Sequence, residues 1–298
     1  MNRVKVLGIL VAVGVVSVSV RAVQQPAGGA AKPMVVEVQK VRDNLFVLTG
    51  AGGGGNTAVF VQSNGVTVVD TKNPGWGQAI LAKIKELTNK PVVRIINTHT
   101  HGDHVSGNVQ FPANVEVVSH AYTRDNMEKM KIFADNKGRG IPNRVFADYM
   151  AIGDGADRID LRYFGRGHTN GDAWVFFPAQ RVVHAGDIFP DKSMPFLDAS
   201  NGGSGFDMPR TLFQAHAMLG DVDTIITGHS ATMTPNDLRE WAEFNDDFLA
   251  AVREAKTAGR TVDDFVKTWQ IPAKYTGYAA PDPARVKANA ELIWNELR

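Results

Sequence analysis

The stretch Val92-Val93-Arg94-Ile95-Ile96-Asn97-Thr98-His99-Thr100-His101-Gly102-Asp103-His104 decides how the chain is read. Behind Pro91, residues Val92 to Asn97 form an apolar, β-branched run that predicts a buried strand. Four side chains of metal-ligand type follow it within six residues: His99, His101, Asp103 and His104. One His at a strand end is ordinarily a hydrogen-bonded core or surface residue. Three His and an Asp in one tight turn would crowd ionisable groups without partners, which is costly. A bound metal removes that cost, because zinc takes imidazole nitrogen and carboxylate oxygen at about 2.0–2.2 Å.

Further along, three more ligand types follow strand-like segments. They are His168 in Gly165-Arg166-Gly167-His168, Asp187 in Ala185-Gly186-Asp187, and His229 in Thr227-Gly228-His229. Each alone is a weak signal. Together they complete a set of five His and two Asp, which suits two zinc ions with Asp187 shared between them. Neighbouring glycines let the backbone turn sharply beside these ligands. The sequence has no Cys, so disulfides, thiolate ligands and a cysteine nucleophile are excluded. An all-nitrogen-and-oxygen set is also compatible with iron or manganese.

Around these motifs the chain alternates strands and helices. Val35 to Val41, Asn44 to Thr49, Thr57 to Gln62 and Val66 to Asp70 read as strands, the last two joined at Asn64-Gly65, a hairpin signal. Gly50 to Gly55 lacks the Lys-Ser/Thr ending of a phosphate loop and reads as a tight or mobile hairpin tip. Ile80, Leu81, Ile84 and Leu87 fall at helical spacing. Later, Ala121 to Phe133 and Pro209 to Leu219 read as helices. Leu161 to Phe164, Ala173 to Phe177, Val182 to His184 and Thr224 to Thr227 read as strands. From Pro235 on the chain is mostly helical, with Thr261 as an N-cap. Two similar halves of this kind imply sheets covered by helices, with the chemistry on loops at one sheet edge.

The ordered set of motifs resembles the metallo-β-lactamase superfamily over the chain up to about Ser230. That resemblance implies an α/β fold, a four-layer αββα sandwich, here over residues 34–234, with a helical C-terminal extension over 235–298 packed on it. It also implies that His99, His101 and His168 hold a first zinc, that Asp103, His104 and His229 hold a second, and that Asp187 bridges. Asp70 matches a position the family usually keeps as Asp, and would fix the tautomer of a ligand His. Two zincs about 3.5–4 Å apart would share a hydroxide that attacks a carbonyl or phosphoryl centre, with Asp103 orienting it.

The substrate is less sharply defined. Zinc β-lactamases usually lack Asp at the position of Asp187. Lactonases, thioesterases and phosphodiesterases of the superfamily carry it. The expectation is therefore a hydrolase of a cyclic amide or ester, β-lactam-like or lactone. The alternatives are a thioesterase or phosphodiesterase type, or a non-hydrolytic iron-binding member. The segment Phe189 to Phe206 reads as a pocket wall or lid, with Phe196 as an apolar contact and Lys192 and Asn201 as anchors for a carboxylate or oxyanion.

At the start of the chain, Arg3 and Lys5 precede an apolar run from Val6 to Val20. This is a secretory pattern, read as a signal peptide over residues 1–22 with a Gly-, Ala- and Pro-containing linker over 23–33. It predicts a periplasmic or secreted protein with no stable membrane association after cleavage. With Lys+Arg 32 against Asp+Glu 31, nothing points to a nucleic-acid partner. A small molecule is the expected substrate.

Overall fold

The computed structural model describes residues 34–297. The signal-peptide and linker readings fall outside these residues. The first sheet contains seven strands in chain order. Strands β1 (Glu37–Arg42), β2 (Leu45–Thr49), β3 (Thr57–Gln62) and β4 (Gly65–Val69) run as antiparallel neighbours. Then β5 (Val92–Asn97), β6 (Glu116–His120) and β7 (Arg144–Phe146) add in parallel, the crossover from β4 to β5 being helix α1 (Trp76–Leu87). The second sheet holds β8 (Tyr149–Ile152), β9 (Ile159–Tyr163), β10 (Ala173–Phe177), β11 (Val182–Gly186) and β12 (Thr224–Thr227), in the order β12-β11-β10-β9-β8.

Period-two alternation sorts the side chains into layers. Ala58 and Phe60 of β3, Ile96 of β5, Val118 of β6, Val175 and Phe177 of β10, and Ile226 of β12 meet in one core between the sheets. Their neighbours Val59, Ile95 and Val117 point outward and are covered by Trp76, Ile80 and Ile84 of α1. On the other side Trp174, Phe176, Val183 and Ile225 pack under the C-terminal helices. The result is helix, sheet, sheet, helix, the αββα order.

That last layer consists of α5 (Met208–Ala217), α6 (Pro235–Thr257), α7 (Val262–Thr268) and α8 (Pro283–Glu296). Helix α6 starts at a capping box of Thr234 and Asp237, with Pro235 in its first turn. It buries Leu238, Trp241, Phe248 and Val252 in the same core as Trp174 and Phe189. Thr261 caps α7 by accepting from Asp264 N. No helix among the described residues is long and apolar enough to cross a membrane.

Two local expectations need correction. The helix read over Ala121 to Phe133 is two short ones, α3 (Ala121–Met127) and α4 (Lys131–Asp135). Met130 between them is extended and caps the second, while Met127 and Phe133 turn into a small cluster with Val105. Strands β6, β7 and β8 were not read from the sequence; they have five, three and four residues, runs in which a period registers weakly.

Topology sets the position of the chemistry. Strands β4 and β5, and likewise β11 and β12, are parallel pairs. Their C-terminal ends deliver Asp70, the His99–His104 loop, Asp187 and His229 to one edge of the sandwich. The turn from β9 to β10 adds His168. A short helix, α2 (Gly102–Val105), begins just after His101.

Candidate metal centre

The side chains singled out in the sequence converge in two overlapping clusters. His99, His101, His168 and Asp187 offer ligand atoms all within 4.8 Å of one another, and so do Asp103, His104 and His229. Asp187 lies between them. Its Oδ2 is 3.9 Å from His99 Nε2, 3.8 Å from His168 Nε2 and 3.1 Å from His229 Nε2. Its Oδ1 is 3.1 Å from His104 Nε2. Asp103 Oδ2 closes the second cluster, 3.4 Å from His229 Nε2 and 3.8 Å from His104 Nε2.

Each buried imidazole is oriented through its other nitrogen, the arrangement that fixes a metal-binding tautomer. His99 Nδ1 lies 3.0 Å from Thr98 Oγ1. His104 Nδ1 lies 2.7 Å from Asp70 Oδ2. His168 Nδ1 lies 2.5 Å from the Phe196 carbonyl oxygen. His101 Nε2 lies 2.7 Å from Asp198 Oδ2, leaving its Nδ1 2.8 Å from His168 Nε2. Asp70 also accepts from Thr98 N at 2.9 Å and from the Thr98 hydroxyl at 2.6 Å. One fully buried carboxylate thus ties the first strand pair to the metal-type loop.

Charge follows burial and proximity. Burial drives His99 well below the ordinary imidazole pKa and brings His168 down to about 4, so both are neutral and free to donate a lone pair. Burial opposes the charge on His104 too, but Asp187 and Asp70 more than offset it and hold its pKa well above the ordinary value. Burial also opposes the Asp187 carboxylate, and His104 and His229 nevertheless draw it well below the usual range. Lys72, fully buried, donates to Gly55 O at 2.6 Å. Desolvation lowers its pKa to about 8 against the pull of Asp70 and Asp103.

A metal fits this set. His99 Nε2 and Asp187 Oδ1 are buried without any hydrogen-bond partner, and an orphaned buried polar group costs about 1–3 kcal/mol. Both atoms face the ligand cluster. The donors are all imidazole nitrogen and carboxylate oxygen, a set that suits zinc and also accepts iron or manganese.

Of the tight or mobile tip that the glycine run predicts, Ala51 and Gly52 are exposed, whereas Gly53 and Gly55 are buried. Gly55 N donates to Asp103 O at 3.1 Å. A Cβ on Gly55 would stand 2.0 Å from the His104 ring. Gly55→Ala is therefore expected to displace that ring, at a cost of about 1–3 kcal/mol, and to weaken metal retention. Thermal melting and metal content after dialysis check this; a variant that matches the parent in both would show that the loop yields freely.

The clusters open onto a cavity of about 630 Å³, lined by His101, Asp103, His168, Asp187 and His229 on one side and by Met194, Phe196 and Arg285 among others beyond them. Phe196 is where the sequence reading placed it, in the cavity wall. Lys192 is not. Its Nζ is held by Asp237 at 2.9 Å and Glu240 at 3.0 Å on the first turns of α6, and it lines no part of the cavity. Asn201 is also turned away, its Nδ2 donating to Asp198 Oδ2 at 2.6 Å. It braces Asp198 and presents nothing to a substrate. Asp198 and Arg285 were missed in the sequence. Asp198 caps a 3₁₀ turn (Ala199–Asn201), and the Asp-Ala-Ser-Asn signal for that turn was visible, but nothing local reveals that the carboxylate also reaches His101.

An αββα sandwich with His and Asp clusters at one sheet edge defines a metal-dependent hydrolase. Residues 50–229 match the family model of the metallo-beta-lactamase superfamily, and the chain belongs to that superfamily. It is 28% identical over 210 residues to a "Metallo-beta-lactamase type 2" of Elizabethkingia meningoseptica, covering 65% of this chain and 78% of that one. It is 32% identical over 128 residues to a "Hydroxyacylglutathione hydrolase" of Nostoc punctiforme, covering 42% of this chain and 44% of that one. Among solved structures, the sec-alkylsulfatase Pisa1 from Pseudomonas sp. superposes with a TM-score of 0.71 at 13% identity, over 88% of this chain and 50% of that one. At that identity the likeness is one of fold.

Proposed function

We propose that the protein is a binuclear zinc hydrolase that cleaves a cyclic amide or ester, β-lactam-like or lactone, outside the cytoplasm. The observation that carries this reading is the placement of Asp187 between the two ligand clusters, its Oδ2 within 3.8 Å of His168 and 3.1 Å of His229 and its Oδ1 within 3.1 Å of His104. His99, His101 and His168 would hold one ion, and Asp103, His104 and His229 the other. Bound there, the ions supply Lewis acidity and a hydroxide nucleophile at neutral pH.

The chain's own groups then have separable tasks. Asp103, one-third exposed at the cavity wall, can accept a hydrogen bond from the attacking water and orient it. His229, similarly exposed, faces the cavity beside it. Asp70 and Asp198 keep His104 and His101 in the tautomers that leave the inward nitrogen free. Phe196 and Met194 supply apolar surface for the uncharged part of a substrate. Export is supported by the basic start and apolar run at the head of the sequence. A thioesterase reading has support of its own, in the shared carboxylate and in the likeness to a hydroxyacylglutathione hydrolase.

The test is metal analysis of the purified protein together with turnover of a chromogenic β-lactam, an aryl lactone and a thioester, with and without a chelator. Two zincs per chain and chelator-sensitive turnover of the lactam or lactone are expected. Turnover of the thioester alone would move the assignment to that class. A chain holding iron and inert toward all of them would end the hydrolytic zinc reading.

A further inference from the structure

The cavity contains a cation that no carboxylate of the described residues claims. Arg285, in the first turn of α8, lines the cavity. Its Nη1 is buried and has no hydrogen-bond partner. Arg94 and Arg166, by contrast, end on the carboxylates of Glu116 and Asp207. The nearest acid in sequence, Asp282, is engaged as the α8 cap, accepting from Ala284 N at 3.0 Å.

What Arg285 does touch is an aromatic face. Its guanidinium carbon stands 4.2 Å from the centre of the Phe196 ring. Phe196 is 46% exposed and stacks on His101, with centroids 5.4 Å apart and planes at 22°. Phe196 therefore links the guanidinium directly to a residue of the ligand cluster. Stacking on an aromatic face holds the planar fork flat and shields one side from water. A guanidinium so held can turn its free N–H groups to an anionic group.

We propose that Arg285, seated on Phe196, is the anion-recognition group of the substrate site. The substrate would carry one oxyanion, a carboxylate or a sulfate, on the part that projects toward α8 while its labile bond lies over Asp187. This names the substrate class of the hydrolase reading and rests on it. A single charge is specified because Asp191 and Asp282 also line the cavity and would repel a polyanion. It also reassigns the role that position along the chain gave to Lys192, which is consumed by Asp237 and Glu240.

The experiment uses the metal-loaded full chain and its Arg285→Ala and Arg285→Lys variants, with matched esters: neutral 4-nitrophenyl acetate and anionic mono-4-nitrophenyl succinate. In Arg285→Ala, the preference for the anionic over the neutral ester, read as the ratio of their kcat/KM values, should fall about tenfold or more through KM for the anionic one, and Arg285→Lys should fall between. Equal effects on both esters, or none, would overturn the proposal. Calorimetric titration with benzoate, phenyl sulfate and uncharged benzamide gives a readout independent of turnover. Loss of anion binding in Arg285→Ala, with benzamide unaffected, supports the site even if neither ester is cleaved, the hydrolase reading being decided separately by the lactam, lactone and thioester. The tighter of the two anions identifies the oxyanion. Unchanged anion binding in Arg285→Ala overturns the site whatever the turnover.

Discussion

Asp187→Asn is expected to empty both metal positions and to lower hydrolysis by more than the roughly 10–100-fold that loss of an outer partner costs a metal site. Asn keeps the shape of the side chain, so packing around it survives. It replaces a charged oxygen by an amide nitrogen that binds no metal. Because Asp187 contacts His99 and His168 on one side and His104 and His229 on the other, the loss is felt in both clusters at once. Metal content per chain and chelator-sensitive turnover provide the check. The metal-stripped variant should also melt lower, since His104 keeps Asp70 at 2.7 Å but loses the Asp187 carboxylate at 3.1 Å, so metal content and not melting decides the bridging role. A variant that holds two ions and turns over within about tenfold of the parent would remove Asp187 from its bridging role.

Asp70→Ala is expected to act mainly on folding. The carboxylate is fully buried and receives the Thr98 amide, the Thr98 hydroxyl and His104 Nδ1. Removing it strands all three partners, and breaking a buried charged network typically costs about 3–5 kcal/mol. The backbone adds to this. Asp70 has φ of 61°, a left-handed conformation that Asp and Asn tolerate better than Ala. Asp70→Asn should therefore be milder, because it keeps the turn and part of the hydrogen bonding while leaving His104 without its anionic partner. Denaturant unfolding of both variants separates the contributions. A loss below about 1 kcal/mol in Asp70→Ala would mean that the network is dispensable.

How much of this was legible in the sequence depends on how local each signal is. His99, His101, Asp103 and His104 share one loop after one strand, so their convergence could be read directly. Asp187 and His229 were legible because each follows a strand and a glycine, and strand ends gather at one edge of the fold. Strands β3, β5 and β10 were equally open as short apolar runs, but being apolar on both faces they do not say which side chains enter which layer. Lys192 misled because it lies close behind Asp187 along the chain, whereas its partners are on α6, a helix whose first turn is acidic. Asp198 and Arg285 gain meaning only through neighbours distant in sequence. The break at Met130 has no Pro or Gly to announce it and is set by the burial of Met127 and Phe133 on either side.

The seven side chains of the ligand clusters all lie between His99 and His229, yet the far wall of the cavity is completed by Ala280, Pro281, Asp282 and Arg285, beyond the stretch that matches the family. On the reading proposed above, reactivity and selectivity would be written on different parts of the chain. The reactive part is bound by the geometry of its ligands and has little room to drift. The terminal helix is held by ordinary side-chain packing through Val286, Ala290 and Ile293, a constraint many sequences satisfy. Exchanging that one helix between relatives would be a way to retarget the same reaction to a new molecule without touching the residues that perform it.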